Sequence, residues 1–250
     1  MRRRRACSDR AVLVGTNAPL IAALKTVLSR YVSATTAGPL LPEIAPAGKP
    51  SPRLVFFETP EWSEGDARFV LALRTHCPDA VLIVMSTTAA TESTPGDGAL
   101  SPEAFIVRPC PFDQVVARIT RLLPKLGSCP VAGGRLSAQV GKAIDHIIRH
   151  YQEPLPAIEI ARAARLSVHW LAHCFPAAIG MTVKDFVTRL RVEVAAHLLR
   201  ESDRKLEEVA ELTGFADASH LSRAFKQCRG LRPGEFRRAA WDIVGDRPMA

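Results

Sequence analysis

One pattern in the C-terminal part of the chain recurs at an offset of 50: Leu171, Phe175, Gly180 and Phe186 return as Leu221, Phe225, Gly230 and Phe236. Upstream, Ala161 and Leu166 correspond to Ala210 and Phe215, with one residue inserted in the second copy. Each copy reads as a short helix with a buried alanine, a tight turn, a second helix opened by a capping residue, and a glycine stop. That is the layout of a helix-turn-helix. The alanine is small because the two helices cross closely, and the residue opening the turn must accept a sharp reversal. It is Arg165 in the first copy and Gly214 in the second. Such a repeat serves either as a pair of packing αα-hairpins or as a pair of DNA-reading heads.

Charge in the second copy favours the second use. From Ser219 to Arg238 six basic residues (Arg223, Lys226, Arg229, Arg232, Arg237, Arg238) face one acid, Glu235. On a helix over 217–228, Leu221, Ala224, Phe225 and Cys228 are expected to point inward. Ser219, His220, Ser222, Arg223, Lys226 and Gln227 are left for the opposite side. Short hydrogen-bonding side chains beside an arginine suit base edges and phosphates in a major groove. The whole chain carries 33 Lys and Arg against 25 Asp and Glu, a net charge of +8, which permits a polyanionic partner.

The run Arg191-x3-Ala195-x2-Leu198-Leu199, then Val209-Ala210-x3-Gly214-Phe215-Ala216-Asp217-x-Ser219-x-Leu221-Ser222-Arg223-x-Phe225-Lys226-x3-Gly230-x2-Pro233-x2-Phe236-Arg237, closely resembles the AraC/XylS family of transcription regulators. The resemblance covers about 136–238. It implies two helix-turn-helix units joined by a long helix over 184–201, with both recognition helices in successive major grooves about 34 Å apart, so that one chain reads a bipartite site. It places base contacts at His169, Ala172 and His173 in the first unit, and at Ser219, His220, Ser222 and Arg223 in the second. The first unit departs from the family pattern. His173 stands for a usual Arg, and Pro176 stands where a Lys commonly follows the buried Phe175. A proline there is expected to end or kink the helix, and Ala172 offers only apolar contact to a thymine methyl. Less affinity, or a looser preference, is expected of the first unit. Trp170 is expected to pack at the edge of the core.

The N-terminal half has another rhythm. Apolar runs at 11–14, 53–57, 80–85 and 104–107, with a weaker one at 31–34, alternate with helical stripes. The stripes are Leu20, Ile21, Leu24, Val27, Leu28 and Tyr31; Phe69, Val70 and Leu73; and Val115, Val116, Ile119, Leu122 and Leu123. That alternation predicts βα units on a parallel sheet. Residues 38–52 hold five prolines and read as loop. The fold class expected is thus an α/β, flavodoxin-like N-terminal domain followed by an all-α domain with two helix-turn-helix units. The boundaries read as a basic arm over 1–9, an α/β domain over 10–126, a Gly- and Pro-rich linker over 127–135, the helical domain over 136–238 and a tail over 239–250.

Residues 10–125 also resemble a response-regulator receiver. The strand ending Phe57-Glu58, the strand ending Met85-Ser86 and the strand followed by Arg108-Pro109 correspond to those that carry the receiver's phosphorylated aspartate, its Thr or Ser, and its Lys-Pro. The acidic pair that would hold Mg²⁺ becomes Gly15 and Thr16, the nucleophile position holds Glu58, and the lysine becomes Arg108; only Ser86 keeps its type. Phosphoryl transfer at such a site loses its metal ligands. The expectation is a degenerate receiver without acyl-phosphate and without a metal, serving dimerisation or protein contact. Glu58 and Arg108 read either as an ion pair across the strand ends or as two unrelated loop residues.

No apolar run reaches the length that spans a bilayer, and the residues after Arg2–Arg5 are too short for a signal h-region. Those arginines read as a solvated terminus or as an arm near phosphates. Six dispersed cysteines (7, 77, 110, 129, 174, 228) have no metal-ligand spacing and suit reduced thiols in a cytoplasmic protein. Neither Cys77-Pro78 nor Cys110-Pro111 sits on a nucleophile elbow, so no catalytic residue and no cofactor are expected. Double-stranded DNA is the expected partner, with RNA polymerase and a second copy of the chain as further candidates. A phosphorylatable regulator and a ligand-sensing α/β domain are the competing readings.

Overall fold

A computed structural model describes residues 10–38, 40–45, 51–88, 102–122 and 137–244. The 1–9 arm, most of 87–102, the 127–135 linker and 245–250 lie outside the described residues. Two compact units meet in the chain at Ser137/Ala138, with Ala18–Ala23 grouped in the second.

The N-terminal part of the chain contains β1 (Arg10–Gly15), α1 (Ala18–Leu28), β2 (Ser33–Thr36), α2 (Leu41–Ile44), β3 (Leu54–Glu58), α3 (Glu64–His76), β4 (Val81–Ser86), β5 (Ala104–Val107) and α4 (Phe112–Leu122). Its strands form one sheet in the order β2-β1-β3-β4-β5, every pair parallel. Every residue of β3 and β4 is buried, whereas the edge strands β2 and β5 are partly exposed. Cover on both faces explains why the central strands read as unbroken apolar runs. Val12, Val14, Val55, Phe57, Leu82 and Val84 pack with Val70, Leu73 and Cys77 of α3 and its C-cap. Ser63 opens α3 through a capping box with Asp66. Arg74, buried near its end, donates to Ala80 O and to Glu103, both at 2.7 Å, pinning α3 to the segments that lead into β4 and β5.

Two expectations for this unit are corrected. The second strand begins at Ser33, not Tyr31, because Tyr31 and Val32 donate their amides to Leu28 O in the turn that closes α1. Residues 38–52 are not all loop: α2 forms there, with its proline at the helix start, where a missing amide breaks no helical bond.

The second unit is built of α5 (Ala138–His150), α6 (Ala157–Ala163), α7 (Val168–Ile179), α8 (Val183–Glu201), α9 (Leu206–Leu212), α10 (Ala218–Arg229) and α11 (Pro233–Val244). The first half of α8 buries Phe186 and Leu190; the second half enters a core of Val192, Ala195, Ala196 and Leu199 with Val209, Ala210, Phe215, Leu221 and Phe225. The expected boundary at 238/239 falls inside α11, which continues to Val244. Trp241 holds that extension, donating to Arg200 O at 3.1 Å with the Arg237 guanidinium over its ring. Among the described residues no helix is long and apolar enough to cross a membrane.

Candidate nucleic-acid interface

The two copies of the repeat fold alike, atom for atom at several points. Ala161 and Ala210 are fully buried at the crossing. Each turn is closed by the same backbone bond, Leu166 N to Ala161 O at 2.8 Å and Phe215 N to Ala210 O at 2.9 Å. The preceding residue takes a left-handed conformation in both, φ 55° at Arg165 and 75° at Gly214. Ser167 caps α7 by accepting from Trp170 N, and Asp217 caps α10 by accepting from His220 N. Left-handed glycines, Gly180 and Gly230, end the two helices. Phe175 then meets Phe186, and Phe225 meets Phe236, each pair 5.4 Å apart in edge contact.

This scaffold turns one face of each second helix outward. On α10, Ser219, His220, Arg223, Lys226 and Gln227 are exposed and Ser222 is half-buried, while Leu221, Ala224 and Phe225 are buried. The His220 ring lies edge-on to Phe215 at 5.2 Å, so its position is held by the turn. On α7, His169, Ala172 and His173 are exposed, and the two imidazoles meet at 4.6 Å. The basic cluster is smaller than its count: Arg229 pairs with Glu193 at 2.5 Å and covers the Phe236 ring, and Arg237 donates to Arg204 O. Arg223 and Lys226 are left as the exposed cations of α10.

Two expectations here are overturned, and a third is narrowed. Cys228 is exposed rather than inward. Trp170 is 59% exposed and does not pack into the core edge. Pro176 does not end α7, which runs on to Ile179. A proline inside a helix costs about 3 kcal/mol. Burying Leu171, Phe175 and Ile179 on one side of the same helix returns about 1.5–3 kcal/mol each. Packing therefore outweighs the lost bond, and the helix holds.

The strand-end pocket of the first unit is filled by the chain itself. The register sets Gly15 beside Glu58. Glu58 Oε2 accepts from Thr16 N and Asn17 N, both at 2.9 Å, and from Thr16 Oγ1 at 3.4 Å. Oε1 accepts from Arg108 Nη2 at 2.9 Å; the Glu58 side chain is fully buried and that of Arg108 is 21% exposed. The ion pair across the strand ends is thus formed. Ser86 is buried at the end of β4, its hydroxyl 3.5 Å from Pro60 O. Among the described residues no cluster of three or more His, Cys, Asp or Glu suits a metal ion. Burial pushes the Cys77 thiol above its ordinary range, with Arg10 opposing.

Residues 160–239 match the family model described as a helix-turn-helix domain. A putative AraC-like transcription regulator of Streptomyces antibioticus is 34% identical over 99 residues, which cover 40% of this chain and 33% of that one. The HTH-type transcriptional activator RhaS of Escherichia fergusonii is 34% identical over 98 residues, 38% of this chain and 35% of its own. The chain thus spans about a third of the length of these curated relatives. Among solved structures, the C-terminal domain of AraT, a response regulator from Geobacillus stearothermophilus, aligns at 29% identity over 42% of this chain and 88% of that one, with a TM-score of 0.41. Residues 160–239 therefore carry a helix-turn-helix domain, similar in sequence to regions of AraC-like regulators.

Proposed function

We propose that the chain is a sequence-specific DNA-binding transcriptional regulator, with α7 and α10 reading successive major grooves. The observation that carries this is the duplicated scaffold with the α10 face of Ser219, His220, Ser222, Arg223, Lys226 and Gln227 turned away from its core. Base-edge readers and phosphate-binding cations lie on one helix, as direct readout requires. His169, Ala172 and His173 form the plainer face of α7.

The first unit acts as a flavodoxin-like pseudo-receiver that works through dimerisation or protein contact, RNA polymerase included, without phosphorylation. Its parallel order β2-β1-β3-β4-β5 supports the flavodoxin-like assignment. The engaged carboxylate supports the loss of phosphoryl chemistry: both Glu58 oxygens already hold donors, and Gly15 and Thr16 offer no charge to a cation.

In vitro selection from random duplexes with the full chain tests the reading. The expected product is a bipartite motif with halves one helical turn apart, bound with an affinity that falls steeply with salt. Absence of any enriched sequence overturns it. For the first unit, a small acyl-phosphate donor with Mg²⁺ is expected to leave the intact mass unchanged; a phosphoryl adduct overturns the pseudo-receiver assignment.

A further inference from the structure

We propose that Arg191 is a positioning residue that fixes the separation and angle of the two recognition helices, and so sets the half-site spacing this chain accepts. The inference rests on the DNA-binding reading above.

A helix leaves its last carbonyls without intrahelical donors. Past the end of α5, the carbonyls of Tyr151 and Glu153 find donors far along the chain. Arg191, near the middle of α8, donates from Nε to Tyr151 O and from Nη2 to Glu153 O, both at 2.7 Å. Gly214, in the turn between α9 and α10, lies against the same backbone. A Cβ built on it would stand 2.6 Å from Gln152 O and 2.8 Å from Tyr151 O. The Tyr151 carbonyl thus meets both the connecting helix and the turn of the second helix-turn-helix, with Glu153 O held by Arg191 alone and Gln152 O set against Gly214 alone.

Arg191 also stands where α8 changes partners. Phe186, before it, meets Phe175 of the first helix-turn-helix, while Val192, Ala195, Ala196 and Leu199, after it, belong to the core of the second. Without the guanidinium, α8 and the Gly214 contact would join the two helix-turn-helix copies. With it, the end of α5 is fixed to α8 at the changeover, and the turn carrying α10 is referred to that fixed point. Burial lowers the Arg191 pKa, yet a guanidinium stays charged and is favoured at a helix C-terminus. Its planar fork serves two carbonyls in one orientation, which a lysine ammonium does not reproduce.

The test uses the full chain, Arg191→Lys and Arg191→Ala. Each is measured on the selected duplex, on duplexes with one or two base pairs added or removed between the halves, and on a duplex holding the second half-site alone. One base pair turns the second half by about 35°. The wild-type chain is expected to lose roughly tenfold in affinity for that shift, the scale of a mismatched base pair. In the variants this preference should shrink to within about threefold, with half-site affinity unchanged. Arg191→Lys serves if Arg191→Ala fails to fold. A folded variant that keeps the wild-type spacing preference overturns the proposal, as does equal loss on every duplex, or a wild-type chain indifferent to spacing. A wild-type chain that binds no duplex instead removes the DNA-binding reading itself.

Discussion

Arg165 and Gly214 occupy one position in two copies of one motif, and both adopt the left-handed backbone, at φ 55° and 75°. The shared conformation shows that the turn demands it whatever the side chain. The difference lies in the surroundings. The second turn is docked against the Tyr151 and Gln152 carbonyls with no space for a Cβ, whereas Arg165 is exposed. The first copy therefore tolerates strain that the second has removed. The recognition helices diverge in the same direction: α10 presents Arg223 and Lys226, while α7 presents two histidines, an alanine and an internal proline. One copy is fitted tightly and carries charge; the other keeps the scaffold with fewer reading groups.

The sharpest way to break this contrast is Gly214→Ala. The methyl adds left-handed strain, on the order of 1–3 kcal/mol, and meets two backbone oxygens that belong to a different element. A total loss of about 3 kcal/mol in unfolding free energy is expected from chemical denaturation. A loss below about 1 kcal/mol would show that the second turn moves aside freely, and the docking argument would fail.

Second in size is the pair Arg223→Ala and His173→Ala, compared on one selected duplex. Arg223→Ala is expected to cost about 1–3 kcal/mol, concentrated at one base pair. His173→Ala is expected to cost less than about 1 kcal/mol, since one exposed imidazole lacks the two-pronged fork of a guanidinium and makes at most one ordinary hydrogen bond to a base edge. A larger loss at His173 would reverse the ranking of the two heads. Equal loss on every sequence at Arg223 would reassign that residue to the phosphates.

What the sequence made legible was what is local. The repeat, both caps, both glycine stops and the left-handed turns all follow from short-range spacing, as do the buried central strands. The failures are equally physical. Trp170 does not pack at the edge of the core, because it precedes the buried Leu171 and so points about 100° away from that face of the helix. Cys228 lies in the last turn of α10, where helix periodicity assigns faces least well. The tightness of the Glu58 site depends on backbone amides of Thr16 and Asn17, which carry no sequence signature. Arg191 stood in the motif, but its acceptors lie 38 and 40 residues away and are backbone oxygens too.

The smallest expected effect is the most direct comparison of the two turns: Arg165→Gly. A side chain held at positive φ carries strain on the order of 1–2 kcal/mol, and glycine releases it. Glycine also gives the unfolded chain more freedom, which takes back about 0.4–1 kcal/mol. The net expectation is a gain between nothing and about 1 kcal/mol, read as a higher denaturation midpoint at unchanged slope. Because Arg165 is exposed, little packing is lost with its side chain. A gain of this size would show that the first turn is strained in the folded state and is held by the packing of Ala161, Leu171 and Phe175. A loss of more than about 1 kcal/mol would instead mean that the arginine side chain makes a contact worth more than its backbone strain. The asymmetry between the two copies would then lie in side-chain contacts and not in the backbone.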